Sequence, residues 1–344
     1  MTLPVRRLGS TGAEISELAL GTFTFGLDID AATSRSILAT YLAAGGNFID
    51  TADTYDQAEE ILGPLLKGIR DEVLIASKVG RPTGTGANEV GTSRVRILRQ
   101  IERTLRRLDT DWIDVYYCHV WDPATPLEET LSTLDGLVRS GKVRYIGVSN
   151  FLGWQIAMAH GLSQARGWEP VSLVTAEYSL VERGVEREIQ SLCLASGLPI
   201  MPWSPLGGGM LSGKYGNGVQ PEAGTRAAST HSGMVRRRLD DARNHALAKV
   251  VREIAQRIGR SPAQVALNWV AHRPAVVAPV VGVRTVAQLT DNLAAVGWRL
   301  DSADSAALDA ASAIDLGYPA EWNHRYGIRR DSPPSPLERP HRVN

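Results

Sequence analysis

The stretch Asn47-Phe48-Ile49-Asp50-Thr51-Ala52-Asp53-Thr54-Tyr55 decides how this chain is read. Its apolar pair, Phe48 and Ile49, ends in Asp50, and one short turn later the chain reaches Tyr55, ahead of a helical pattern from Ala58 to Leu66. That order describes a buried strand running into a polar loop. Two later apolar stretches end alike: Val73 to Ser77 runs into Lys78, and Ile113 to Cys118 runs into His119. Asp50, Tyr55, Lys78 and His119 are thus delivered by three strand ends.

Working outward, Val5–Leu8 and Glu14–Ser16 flank the turn residues Gly9-Ser10-Thr11-Gly12 and predict a small hairpin. Eight short strands are then read at Leu18–Thr22, Asn47–Ile49, Val73–Ser77, Ile113–Cys118, Tyr145–Val148, Leu173–Ala176, Pro199–Pro202 and Val276–Val281. Helical patterns separate them. The one from Ser93 to Leu108 places Val95, Leu98, Ile101 and Leu105 at helical spacing behind a serine cap. Wholly apolar strands alternating with helices mean parallel strands covered on both faces. Eight units within roughly 280 residues predict a (β/α)8 barrel, the TIM-barrel architecture, rather than an open sheet. Residues 1–330 are expected to form one domain. Gly207 to Asp240 reads as a long loop after strand seven, and an extra helix follows from Ala242 to Ile258. The tail from Leu316 is expected to fold its aromatic part over the barrel mouth and to end in a flexible, Pro-rich segment at residues 331–344.

Composition narrows the function. Apolar residues make up 43% of the 344, enough for a large core, and 37 basic residues balance 37 acidic ones. With no net charge, no global field favours nucleic acid or an anionic membrane. No apolar run approaches the ~18 residues of a spanning helix, and the first residues carry no secretory apolar core. Cys118 and Cys193 sit in apolar stretches and read as buried free thiols of a cytoplasmic protein. The seven histidines are scattered, so no metal is expected. Gly208 to Lys214 has the G-x-x-x-x-G-K spacing, but Tyr215 stands where a phosphate-binding loop needs Ser or Thr.

In such a barrel, strand C-terminal ends carry the chemistry. A phenol is a poor acid at neutral pH, an adjacent ammonium is expected to lower its pKa, and a carboxylate supplies the ammonium's counter-charge. His119 then orients a carbonyl or assists proton transfer. Singly, each residue has a plainer reading: Asp50 as a helix cap, Tyr55 as a rim aromatic, Lys78 reaching out to solvent, His119 as a core histidine. All four would have to be plain at once, at the same end of three strands.

The ordered motifs LGTFTFG (Leu20–Gly26), NFIDTADTY, ASKVG (Ala76–Gly80), DWIDVYYCH (Asp111–His119), GKVRYIGVSNF (Gly141–Phe151), AEYSLVER (Ala176–Arg183), PWSPLGGGMLSGKY (Pro202–Tyr215) and PVVGVRTVAQLTDNL (Pro279–Leu293) resemble the aldo-keto reductases over nearly the whole chain. The nearest branch holds aryl-alcohol dehydrogenase-like reductases, keto-sugar reductases and potassium-channel β subunits. The resemblance implies a tetrad of Asp50, Tyr55, Lys78 and His119, with Tyr55 as general acid in carbonyl reduction. It further implies that Ser149 and Asn150 hold a nicotinamide carboxamide and that Trp203 stacks on the ring. Ser204, Pro205, Leu206, Gly208 and Lys214 would surround the pyrophosphate, and Gly282, Arg284, Gln288 and Asn292 the adenosine end. Gly21, Thr22, Asp50 and Thr175 complete the implied cofactor set. Thr175 departs from the family's usual Gln and reaches less far. Arg284, a guanidinium suited to a 2′-phosphate, points to NADPH. Candidate pocket aromatics are Phe23, Phe25 and Trp121, with Trp322 and Tyr326 from the tail.

The function expected is NADPH-dependent reduction of an aldehyde or ketone to an alcohol. Two alternatives accompany it: a keto-sugar or natural-product ketoreductase, and a slow-turnover, cofactor-binding regulatory subunit.

Overall fold

The computed structural model describes residues 2–215 and 233–326. Strands β1 (Val5–Arg7) and β2 (Glu14–Ser16) form an antiparallel hairpin. The other eight are β3 (Ala19–Gly21), β4 (Phe48–Asp50), β5 (Leu74–Val79), β6 (Ile113–Cys118), β7 (Val143–Ser149), β8 (Val171–Glu177), β9 (Ile200–Trp203) and β10 (Val280–Gly282). They pair in parallel, in the order β10-β3-β4-β5-β6-β7-β8-β9. The ring closes between β9 and the segment before β10 through the bridge Ile200–Val276, where Ile200 N donates to Ala275 O and Val277 N to Ile200 O. This is the (β/α)8 barrel.

The eighth strand is shorter than the apolar run at Val276–Val281 suggested. Pro279 lacks an N–H for the ladder, so Val276 pairs alone with β9 and regular pairing to β3 resumes at Val280. The hairpin has a structural role that alternation alone did not announce. Leu8 and Ile15 are fully buried against the barrel interior with Phe48, Ala76, Val115 and Leu173, so the hairpin plugs the barrel floor.

Helices cover the outside. The Arg94–Leu108 helix corrects the expected stripe: Val95 and Leu98 are exposed, while Ile97, Ile101, Leu105 and Leu108 face inward. Arg96, Gln100 and Thr104 are buried on the same helix. These polar residues occupy an inner face because Asp53 and Glu59, also buried, need partners there. Between β8 and β9 the covering segment is split into a 3-10 turn (Gly184–Glu186) and an α-helix (Ile189–Ser196).

Part of the expected loop at 207–240 is helical, at Gly207–Ser212 and Gly233–Leu239; its residues 216–232 lie outside the described ones. A further helix, Ser302–Ala311, packs on Ala242–Ile258, and Arg183 fastens its end by donating to Ser312 Oγ (2.8 Å) and Asp309 O (3.0 Å). The Pro-rich segment 331–344 lies outside the described residues.

One close approach sets the barrel interior under the site. A Cβ added to Gly147 in β7 would stand 2.4 Å from the Tyr117 ring. Gly147→Ala must push that fully buried ring aside, and overpacking of this kind costs about 1–3 kcal/mol. We expect a lower urea midpoint at unchanged slope; an unshifted midpoint would show that the ring has room to move.

Candidate active site

Every strand of the barrel brings a residue to one cavity of about 1050 Å³ at the C-terminal ends. Gly21 ends β3, Asp50 ends β4, Lys78 is the penultimate residue of β5, and His119 follows β6 directly. Ser149 ends β7, Thr175 lies in β8, Trp203 ends β9, and Gly282 ends β10. A shallower hollow of about 480 Å³, between Glu60, Pro64 and Arg103, lies among the outer helices and holds none of these residues.

At the centre, Lys78 Nζ donates to Asp50 Oδ1 (2.5 Å) and Thr51 O (2.8 Å) and lies 3.4 Å from Tyr55 Oη. Tyr55 is set between Phe23 and His119, edge-on to both, with ring centroids 5.2 and 6.2 Å away. His119 N donates to Val79 O (2.7 Å), and His119 O accepts from Asn150 Nδ2 (2.9 Å), so the backbone here is tied on both sides.

Burial sets the electrostatics. It pushes the Asp50 carboxyl up, with the Lys78 ammonium pulling it back. Burial alone would lower Lys78, but Asp50 and then Tyr55 outweigh it, and the ammonium stays charged. Burial raises the Tyr55 phenol above its ordinary pKa although Lys78 opposes the rise. The lowering expected from a neighbouring ammonium is therefore outweighed. His119 is pushed down to about 2 by burial, then by Lys78 and Arg81, and is a neutral imidazole.

Of the other anticipated residues, Asn150, Ser204, Pro205, Leu206, Gly208, Lys214, Arg284, Gln288 and Asn292 line this same cavity. Asn150 and Ser204 hold left-handed backbone at φ 57° and 54°, a conformation that non-glycine residues adopt uncommonly. Trp203 Nε1 donates to Asn150 Oδ1 (3.2 Å). Thr175 Oγ1 donates to Met201 O (2.9 Å), so its proton is turned along the sheet. Thr22 does not line the cavity; it is buried, and its Oγ1 donates to Asp50 O (3.0 Å) behind the site. Arg284 N donates to Gln288 Oε1 (2.9 Å), and its guanidinium holds Asp28 Oδ2 (3.0 and 3.1 Å).

The aromatic wall differs from expectation. Phe23 lines the cavity, but Phe25 is fully buried in the core because the turn after β3 sends it inward. Trp121 packs edge-on against Phe151 (5.2 Å) and Trp154 (5.6 Å), outside the lining. Trp322 is 59% exposed and is not part of the wall; the Tyr326 side chain lies outside the described ones.

Several lining residues were not anticipated. Arg81 stands three residues after Lys78, and Val120 follows His119. Glu177 and Arg238 form a close ion pair from the end of β8 to the Gly233–Leu239 helix. Position after a strand end was the available signal for the first three; Arg238 had none. Among the described residues no cluster of three or more His, Cys, Asp or Glu is placed to hold a metal, and no helix is long and apolar enough to cross a membrane.

The sequence model of the aldo/keto reductase family matches residues 17–313. The chain is 37% identical over 308 residues to the oxidoreductase YrpG of Bacillus subtilis, covering 86% of this chain and 91% of that protein. It is 30% identical over 331 residues to norsolorinic acid reductase of Aspergillus flavus (91% and 82%). It is 33% identical over 300 residues to a probable voltage-gated potassium channel subunit beta of Arabidopsis thaliana (85% and 90%).

The lowered pKa of His119 gives a direct test. Its imidazole is expected to stay neutral throughout pH 5–8, so its ring resonances in a histidine NMR titration should show no inflection there. An inflection near the ordinary value of about 6.5 would mean that the ring is solvated.

Proposed function

The chain belongs to the aldo/keto reductase family and is an oxidoreductase; we propose that it reduces an aldehyde or ketone to an alcohol with NADPH, Tyr55 giving the proton. The observation that carries this is the Lys78 ammonium, held by Asp50 and placed 3.4 Å from the Tyr55 hydroxyl inside a large cavity.

The lining fits a nicotinamide dinucleotide. It offers the flat Trp203 indole, the Asn150 amide, a tight turn from Ser204 to Gly209 and the Lys214 ammonium. Three buried polar atoms of lining residues, Asp50 Oδ2, His119 Nδ1 and Arg238 Nη1, have no hydrogen-bond partner among the described residues. When bound, the reduced nicotinamide supplies the hydride.

The chain's own groups do the rest. As the carbonyl oxygen gains negative charge, Tyr55 transfers its proton to that oxygen. Burial keeps the phenol loaded at neutral pH, and the Lys78 ammonium stabilises the phenolate as it forms. Neutral His119 acts as a hydrogen-bonding group that orients the carbonyl, not as an acid. Asp50 keeps Lys78 charged and aimed. Arg284 and Lys214 supply positive charge for the 2′-phosphate and pyrophosphate. Closure of the barrel by eight parallel strands supports a single domain over residues 1–330.

A natural-product ketoreductase would use the same groups, and the similarity to norsolorinic acid reductase favours that branch. The similarity to a channel β subunit supports a second reading, a cofactor-binding regulatory protein with slow turnover. Steady-state turnover separates the two.

Tyr55→Phe should lower kcat for reduction by at least about a hundredfold, because it removes the acid. NADPH affinity, followed by tryptophan quenching, should barely move. Wild-type kcat in this variant would rule Tyr55 out as the proton donor. Arg284→Ala should weaken NADPH by about tenfold and NADH far less, since a charge-assisted contact to phosphate is lost only with the former. Equal weakening of both would remove the argument for NADPH.

A further inference from the structure

Three of the cations lining the cavity are held by carboxylates, and one at the reacting end is not. Lys78 is held by Asp50, Arg238 by Glu177, and Arg284 by Asp28. Asp291, the remaining lining carboxylate, accepts from Ser261 and Gln264. Lys214 lies over the Tyr215 ring on the side proposed for the dinucleotide phosphates. Arg81 is different. It lines the cavity beside Phe23, Tyr55 and His119, its side chain is exposed, and among the described residues no carboxylate is in ion-pair contact with it.

Its place is built rather than incidental. Val79 O accepts from His119 N (2.7 Å), which fixes the end of β5 against His119. Gly80 then turns the chain at φ +128°, a conformation that side chains disfavour, and its carbonyl accepts from Gly91 N (2.9 Å). Arg81 leaves this pinned turn at the rim of the tetrad, close enough for its charge to act on both Tyr55 and His119. Because His119 is neutral, Arg81 is the cation at this rim not already matched by a carboxylate.

We infer that Arg81 is a substrate-specificity residue and that this enzyme takes carbonyl substrates bearing a carboxylate, which the Arg81 guanidinium binds while the carbonyl lies between Tyr55 and His119. The inference rests on the reductase reading above. The carboxylate is a spectator: the carbonyl carbon gains a hydride from the reduced nicotinamide, its oxygen gains the Tyr55 proton, and an alcohol and the oxidised nicotinamide result. An arginine fork suits a planar carboxylate, and a partly exposed pair of this kind is weakened by salt.

The test compares 4-formylbenzoate with its neutral near-isostere 4-formylbenzamide, using the full chain and NADPH. The wild type should prefer the acid in kcat/KM, mainly through KM, and the preference should shrink as ionic strength rises. Arg81→Gln should lower the acid-to-amide ratio by about tenfold, the scale of one charge-assisted contact, and Arg81→Lys should restore most of it. An acid-to-amide ratio that Arg81→Gln leaves unchanged overturns the inference, as does an equal loss on both aldehydes. A wild type that reduces the amide at least as well as the acid also overturns it while leaving the reductase reading standing. If the wild type oxidises NADPH with neither aldehyde nor with any other carbonyl, the reductase reading falls and this inference falls with it.

Discussion

The buried pair of Lys78 and Asp50 is the constraint on which the rest of the structure turns. Both side chains are more than nine-tenths buried, and an ammonium removed from water to that degree is tolerable only with a carboxylate at hydrogen-bond distance. Parallel pairing of β4 with β5 aligns Asp50 with Ala76, two residues before Lys78, so the lysine reaches across one strand spacing to its partner. Thr51 O takes a second ammonium proton (2.8 Å) and brings the backbone leading to Tyr55 along. One ion pair thus fixes the relative position of two strands, one loop and the phenol. Removing either partner would strand a charge in the barrel mouth, which is far more costly than the loss of an exposed pair.

A second polar layer supports that arrangement from outside. Arg96 is fully buried on its helix, and its Nη2 donates both to Asp53 Oδ2 (3.3 Å) and to Thr83 Oγ1 (2.9 Å). Asp53 lies two residues before Tyr55, and Thr83 lies five after Lys78, so one guanidinium joins the two loops that flank the phenol and the ammonium. Ser77, the residue before Lys78, donates to buried Glu59 (2.7 Å), which also receives Arg107. The burial of Asp53, reinforced by Glu59, pushes its carboxyl up to about 7 against the pull of Arg96 and Arg107. Carboxylates kept so far from water are not there for folding alone; a wholly apolar layer would pack without that desolvation cost. Their positions beside Tyr55 and Lys78 account for their presence.

This layer explains why the fold and the four central residues were legible while much around them was not. Short apolar strands ending in Asp50, Lys78 and His119 show their topology and their chemistry in the same few residues. The Arg94–Leu108 helix does not, because its inward face is half polar, and simple periodicity chose Val95 and Leu98 over Arg96 and Gln100. Phe23 and Phe25 look equivalent in sequence, yet a turn, not a strand, carries them, so the alternation rule does not say which faces the cavity. The Ser302–Ala311 helix is mostly small and polar, and its position depends on Arg183, Trp269 and Arg273 reaching it from distant segments. For Tyr55 the pairing with an ammonium is visible in the sequence, whereas the depth of burial that raises its pKa is not.

The residues proposed to set selectivity stand apart from this centre. Thr175, Arg284 and Arg81 all line the cavity, but none has a hydrogen bond to Asp50, Tyr55, Lys78 or His119 among the contacts of the described residues. Thr175 bonds along the sheet, Arg284 bonds to Asp28 and Gln288, and Arg81 stands at the rim. On the function proposed above, a change at any of these would alter which molecule is held, or how firmly, and leave Tyr55 and the Lys78 ammonium in place. The reverse does not hold. Because Lys78 is tied through Thr51 and Tyr55 to one loop and through the strand register to the barrel, a change at the centre disturbs the geometry that every ligand-facing residue depends on. On that reading substrate range can drift in this scaffold through the loops, while Tyr55 and its charged neighbour stay fixed by the burial of a single ion pair.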